Sequence, residues 1–274
     1  MGSVSAPPPR PGAHGRLLLV PNSLDLGTGI DVDLRELLPQ DVIRQAAGLQ
    51  HWVAENARTT RAFLKRVDAL VPLALPLQQI LITELPRPGK GGARPAGPAP
   101  DLRPLLAPAL AGHDLGLLSE AGMPAVADPG AELVWAAQGL GLTVLPLPGP
   151  SALLLALAAS GLNGQRFAFE GYLPVDAAER AARIRALDAQ SARWQQTQIV
   201  IETPYRNQAL LSALVQQLLP DTRLAVASGL SLPQARCRTM SVQAWRQLQA
   251  TDPAWLAQDL LGSKLPAVFS WLAR

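Results

Sequence analysis

Short apolar runs recur through the first 150 residues, separated by stretches of helix length, and this alternation most constrains the fold. Leu17–Val20 is apolar at every position and stops at Pro21. Asp114–Ser119 carries Leu-Gly-Leu-Leu at its centre, and Leu142–Leu147 runs into Pro148-Gly149-Pro150. A run with no polar face belongs in a sheet covered on both sides, as parallel sheets are. His51–Ala54 and Gln79–Thr83 add two more predicted strands. Between them the pattern predicts a helix from Asp41 to about Gln50, and a second capped by Thr59 or Thr60 and ending before Pro72. It also predicts a helix over Leu102–Ala111, interrupted by Pro104 and Pro108, and one over Ala131–Gly139. Strand, helix, strand in this order is the βαβ signature, so the expected class is α/β, with helices covering a sheet.

Pro146 to Pro150 is a rigid break, and the domain boundary is expected there. The reading is a tail over 1–15, an α/β domain over 16–147 and a second over 148–274. In the second half, Ser151 opens a small-residue helix through Ser160. Phe167–Leu173, Thr197–Glu202, Leu224–Ala227 and Ala267–Trp271 read as strands. Ala177–Ser191 and a segment ending at Leu219 read as helices. Residues 86–100, rich in Pro and Gly, read as a surface loop or lid.

Composition excludes several classes. The formal net charge is +3, too small to demand a nucleic-acid partner by itself. Cys237 is the single cysteine, and His14, His51 and His113 are scattered, so neither a disulfide nor a metal site is expected. No stretch approaches the ~18 apolar residues of a membrane helix. The Pro-, Gly- and Ser-rich start has no apolar core of a secretory signal, and a cytoplasmic location is expected. Phosphate-loop, Rossmann, nucleophile-elbow and zinc-protease motifs are missing.

Ligands of open α/β sheets sit past the carboxyl ends of strands. Three predicted loops there are dense in Pro and Gly: 21–29, 119–130 and 148–152. Glycine lets backbone approach a ligand, and a serine at a helix start can bind a carboxylate or cap backbone donors.

Those segments carry a resemblance. Residues 119–130, SEAGMPAVADPG, resemble an SDAGTPxISDPG motif; 146–152, PLPGPSA, are similar to LPGPSA. SGL at 160–162 with FAFEGYLP at 167–174 resembles SGL…FxFEGFLP. ETPYR at 202–206 resembles ESPHR, and AENART at 54–59 resembles AEDTRxT. The set resembles the ribosomal RNA small-subunit methyltransferase I family of the tetrapyrrole methylase superfamily. Some segments depart from it. RELTK is replaced by Ser228-Gly229-Leu230-Ser231-Leu232, KGE by Lys264-Leu265-Pro266, and the acid of AEDTR by Asn56. No RNA-binding module is expected beyond the core.

The resemblance implies two α/β/α domains of the class III methyltransferase fold, usually dimeric, with S-adenosylmethionine in a cleft between them. Gly122, Met123, Pro124 and Val126 would form one wall, and Ser151 and Ala152 another. The expected reaction is in-line transfer of the sulfonium methyl group, with RNA ribose as the leading acceptor. A tetrapyrrole or other small molecule, and a non-catalytic cofactor-binding relative, are the alternatives. An attacking hydroxyl needs a proton acceptor. Glu55, Glu170 and Glu202 are the carboxylates in the motifs, unless each is instead a salt bridge, with Arg58 or Arg206, or a helix cap. Arg58, Arg180 and Arg206 are expected substrate contacts, with Arg61, Lys65 and Arg183 as further phosphate ligands.

Overall fold

The computed structural model describes residues 14–25, 30, 32–86, 100–252 and 265–274. Residues 1–13 of the expected tail over 1–15, residues 87–99 of the expected lid and Lys264 lie outside the described residues, while Gly15 N donates to Ala109 O at 2.8 Å. The chain divides into two compact units, Met1–Pro150 and Ser151–Arg274.

The first unit is built on a five-stranded sheet. Its strands are β1 (Arg16–Val20), β2 (His51–Ala54), β3 (Leu81–Glu84), β4 (Leu115–Leu118) and β5 (Thr143–Pro146). They lie in the order β3-β2-β4-β1-β5, all parallel. Alternate residues of the central strands feed two cores. Leu18, Val20, Trp52 and Leu118 face α1 (Leu34–Leu37), α2 (Gln40–Gly48) and α3 (Ala57–Asp68). Leu17, Val53, Leu115 and Leu117 face α4 (Ala107–Leu110) and α5 (Ala131–Gly139). Burial on both faces is why these strands contain no polar alternation.

Several boundaries differ from the sequence reading. Pro39, not Asp41, precedes α2. Asn56 caps α3, its side-chain oxygen accepting from Arg58 N and Thr59 N. The two threonines lie inside the helix, where Thr60 Oγ1 bonds back to Asn56 O. The expected helix over 102–111 is a 3-10 turn (Arg103–Leu106) followed by the single turn of α4, because Pro104 and Pro108 interrupt the ladder.

The second unit packs a mixed sheet, in the order β6-β7-β10-β8-β9. The strands are β6 (Phe167–Phe169), β7 (Thr197–Glu202), β8 (Arg223–Ser228), β9 (Arg236–Ser241) and β10 (Ala267–Leu272). Only β6 and β7 are parallel; β10 inserts antiparallel between β7 and β8. One face meets α6 (Ala152–Ser160) through Ile199, Ala227 and Val268. The other, with Val200, Val226, Phe269 and Trp271, meets α7 (Ala177–Trp194), α8 (Asn207–Gln217) and α9 (Val242–Thr251). The strand β9 and helix α9 are absent from the sequence reading, and the expected strand 167–173 ends at Phe169.

Gly116 fixes the centre of the first sheet. A Cβ there would stand 2.6 Å from Cε3 of Trp52, a fully buried ring on the neighbouring strand. A larger side chain must displace that ring. Gly116→Val should lower stability by ~1–3 kcal/mol, the usual cost of overpacking. Urea unfolding that gives an unchanged midpoint and slope would refute this packing account.

Candidate active site

The chain leaves β1 toward the face of α1 and α2, and leaves the adjacent β4 toward the opposite face, where α5 lies. Neighbouring strands whose connections part in this way open a crevice at their carboxyl ends, the usual ligand position of an open α/β sheet. Here the two loops are tied across it. Asn22 N donates to Gly122 O at 2.8 Å, and Gly122 N donates back to Asn22 O at 3.2 Å. The Asn22 side chain, only 3% exposed, donates to Ser119 O and Glu120 O at 3.2 and 3.0 Å. Arg66 of α3 steadies the first loop, donating to Ser23 Oγ at 2.9 Å, Asp25 at 2.6 Å and Val32 O at 2.6 Å.

The β4 loop has an unusual backbone. Gly122 and Gly130 have φ of 69° and 128°, and Ala125 and Ala127 both have φ of 64°. Each non-glycine left-handed residue costs roughly 1–2 kcal/mol. Strain of this kind clusters where geometry serves binding or catalysis. At Gly122 the φ of 69° favours glycine, and a Cβ there would also crowd Leu24 at 3.2 Å. Met123 is half-buried, Pro124 buried, and Val126 44% exposed.

Three carboxyl groups gather beside this loop. The half-buried Glu55 follows β2 and accepts from Glu120 N at 3.1 Å through Oε2. Glu120 Oε1 accepts from Asn56 Nδ2 at 2.9 Å and Thr59 Oγ1 at 3.2 Å. Burial raises the Glu55 carboxyl above its ordinary value, and the Glu120 charge adds to the rise, while the Glu120 N–H opposes it. Asp128 is pushed up to about 7, mainly by burial, with repulsion from Glu55 and then Glu120. Asp128 lies inside the quoted motif, but sequence reasoning did not single it out. Its distinguishing property is burial among other acids, which no spacing displays. Asn56, the departure from AEDTR, keeps the capping acceptor and gains an N–H that holds Glu120.

The other expected residues fall in the second unit, apart from Arg58, Arg61 and Lys65, which are exposed on α3. Glu202 is 1% exposed and lies 3.0 Å from Arg206. Glu170 lies 2.6 Å from Arg183. Arg180 donates to Val175 O at 2.8 Å. Ser151 precedes α6 without a side-chain cap bond, and Ala152 begins the helix. The replaced RELTK segment is a turn after β8, with left-handed Gly229 and Ser231 and with Leu232 buried. Among the described residues, no cluster of three or more His, Cys, Asp or Glu could hold a metal ion, and no helix is long and apolar enough to cross a membrane.

The Asp128 environment has a sign that can be measured. Its folded-state carboxyl binds a proton more tightly than the unfolded chain does. That contribution to stability is present at low pH and is lost as pH rises from about 4 through about 7. Asp128→Asn removes the ionisation. The variant should be more stable than the wild type above pH 7, and the gap should shrink toward pH 4. A stability difference between the two proteins that is constant from pH 4 to 8 would rule out this environment for Asp128.

Comparison with known proteins agrees with this geometry. Ribosomal RNA small subunit methyltransferase I of Mesorhizobium japonicum is 40% identical over 140 residues, covering 51% of this chain and 46% of the relative. The protein of the same name from Synechocystis is 39% identical over 155 residues, covering 57% and 52%. The aligned stretch thus spans about half the length of these curated relatives. The crystal structure of the methyltransferase CobJ superposes with a TM-score of 0.52 at 17% identity, covering 94% of each chain, which is a likeness of fold. The family model for tetrapyrrole (corrin/porphyrin) methylases matches residues 59–244, which include the tied loop and the strands of the second sheet through β9. With two thirds of its length matched, this chain belongs to the tetrapyrrole methylase family.

Proposed function

We propose that this chain is an S-adenosylmethionine-dependent methyltransferase whose acceptor is RNA, with a ribose 2′-hydroxyl as the reacting group. The observation that carries the reading is the strained loop 119–130, tied to the β1 loop at the open end of a parallel sheet and bordered by carboxyl groups. The residues fit the cofactor. S-adenosylmethionine carries positive charge on its sulfur and its amino group, and a cation beside Glu55, Glu120 and Asp128 would offset the mutual repulsion of these carboxyl groups. Met123 and Val126 offer apolar surface, and the buried Gly122 and Pro124 shape the backbone beneath them. Ser151 and Ala152 are proposed as further contacts.

When bound, the cofactor supplies an electrophilic methyl group. The chain's own work is alignment and proton management. Holding donor and acceptor in line removes much of the entropic barrier, up to ~7–11 kcal/mol in ideal cases. Of the three candidate bases, Glu170 and Glu202 are each held in an ion pair, with Arg183 and Arg206. Among the described residues Glu55 has no ion pair, and burial raises its carboxyl above the ordinary value, so it is the carboxylate proposed to accept the proton. The homodimer expected from the resemblance is part of the same proposal.

One observation favours a second acceptor. The segment that aligns with RELTK is an uncharged turn, Ser228–Leu232, and phosphate contacts carry a large share of nucleic-acid affinity. A tetrapyrrole acceptor would need none of those charges.

The deciding experiment offers methyl-labelled S-adenosylmethionine with ribosomal RNA or with a porphyrinoid mixture. Label in RNA that renders one phosphodiester resistant to alkali is the expected result. Label in the porphyrinoid arm would overturn the RNA assignment, and no transfer despite cofactor binding would indicate a non-catalytic relative. Gly122→Leu should weaken cofactor affinity by at least about tenfold, or ~1.4 kcal/mol. A folded variant that binds as tightly as the wild type would contradict the proposed position of the cofactor.

A further inference from the structure

Charge is divided unevenly along the chain. Residues 151–274 hold twelve Arg and Lys against eight Asp and Glu, net +4, whereas residues 1–150 hold twelve against thirteen, net −1. Within the basic unit, the loops that follow the neighbouring strands β6 and β7 expose three large side chains. Tyr172 is 57% exposed, Val175 75% and Tyr205 94%. Exposed side chains on loose loops would mean little, but here the backbone beneath them is clamped. Ile201 N donates to Gly171 O at 3.1 Å, beside Tyr172. Arg180 Nη1 donates to Val175 O at 2.8 Å and to Pro174 O at 3.3 Å. Tyr205 sits in a 3-10 turn whose φ is fixed at Pro204. Its neighbour Arg206 is anchored at 3.0 Å to the buried Glu202 and reaches Leu173 O at 3.5 Å.

A rigid backbone that holds a bare aromatic ring in water is pre-organised for stacking, because ordering costs are met before the ligand arrives. The surrounding guanidinium groups choose the ligand. Arg180, Arg183 and Arg206 each use only part of their five N–H donors on their protein partners, leaving others for phosphate oxygens. Stacking faces combined with arginine are the recurrent means of holding unpaired nucleotides. Among the other large exposed aromatics of the described residues, Phe167 lies within the edge strand β6 and not on a loop past it. The Trp194 ring is covered by Arg193, 4.9 Å from its centroid, and Trp135 lies on a helix of the acidic unit.

We propose that Tyr205, with Tyr172 on the adjoining loop, stacks on unpaired bases of an RNA strand, while Arg180, Arg183 and Arg206 contact its phosphates. The proposal rests on the RNA reading above and adds that the acceptor region is single-stranded, read by stacking rather than by the shape of a duplex.

The test measures fluorescence anisotropy of a labelled twelve-nucleotide oligouridine with the full chain at low salt. The wild type should bind, and Tyr205→Ala should weaken binding by about tenfold or more. Tyr205→Trp, which keeps a stacking face, should stay within about threefold of the wild type. Thermal midpoints of both variants guard against misfolding, which the exposure of Tyr205 makes improbable. Tyr205→Ala that binds oligouridine like the wild type, or Tyr205→Trp as weak as Tyr205→Ala, would overturn the platform. So would a change of oligomeric state in Tyr205→Ala on sedimentation, which would assign this face to a second copy of the chain. A wild type that methylates RNA yet ignores oligouridine would sink the platform and leave the RNA reading standing. Failure of both assays would remove both.

Discussion

Two backbone hydrogen bonds between Asn22 and Gly122 hold the β1 and β4 loops together where the sheet's connections diverge, and the rest of the first unit's site depends on them. They join the bonds that Glu55, Asn56 and Thr59 make to Glu120 in holding the start of the β4 loop. With them, and with the Asn22 amide on two further carbonyls, the loop is over-determined. Alanines at φ of 64° are tolerable only under such constraint. The tie also explains a sequence detail outside the loop. Gly149 lies against Pro21, where a Cβ would come within 2.3 Å of the ring, so the Pro-Gly-Pro segment and the first loop must keep their shapes together.

Charge also differs between the two units. The first is slightly acidic and concentrates Glu55, Glu120 and Asp128 beside the tied loop. Clustered acids cost stability, since each resists the ionisation of the others. A cation in their midst would relieve that cost, and S-adenosylmethionine is a cation. The second unit is basic and places arginines and tyrosines past β6 and β7, a composition suited to a polyanion. The same carboxylate residue type therefore serves differently in each half. Glu55 is left as an acid with a raised pKa, whereas Glu170 and Glu202 hold arginines in position.

Legibility in the sequence followed burial. The strands β1, β4, β7 and β10 are almost wholly buried, and their apolar runs announced them within one or two residues. The strand β9, Arg-Cys-Arg-Thr-Met-Ser, ends the sheet order and is half-buried and polar, so it reads as loop. Helix α9 did leave a signal, since Val242, Trp245 and Leu248 share a face at helical spacing. The antiparallel insertion of β10 could not be read, because it depends on which strands find each other and not on local pattern. At the site, motif resemblance marked Gly122 to Val126, while the raised carboxyl of Asp128 and the tie through Asn22 emerge only when distant segments meet.

The cofactor is proposed to sit against the tied β4 loop. A crystal structure of the chain grown with saturating S-adenosylhomocysteine tests this most directly. The account predicts ligand density at the carboxyl ends of β1 and β4, in contact with the backbone of Gly122 to Val126 and with a carboxyl oxygen of the Glu55, Glu120 and Asp128 group. Ligand bound elsewhere on the chain with that loop bare, or a saturated crystal with no ligand at all, would contradict it.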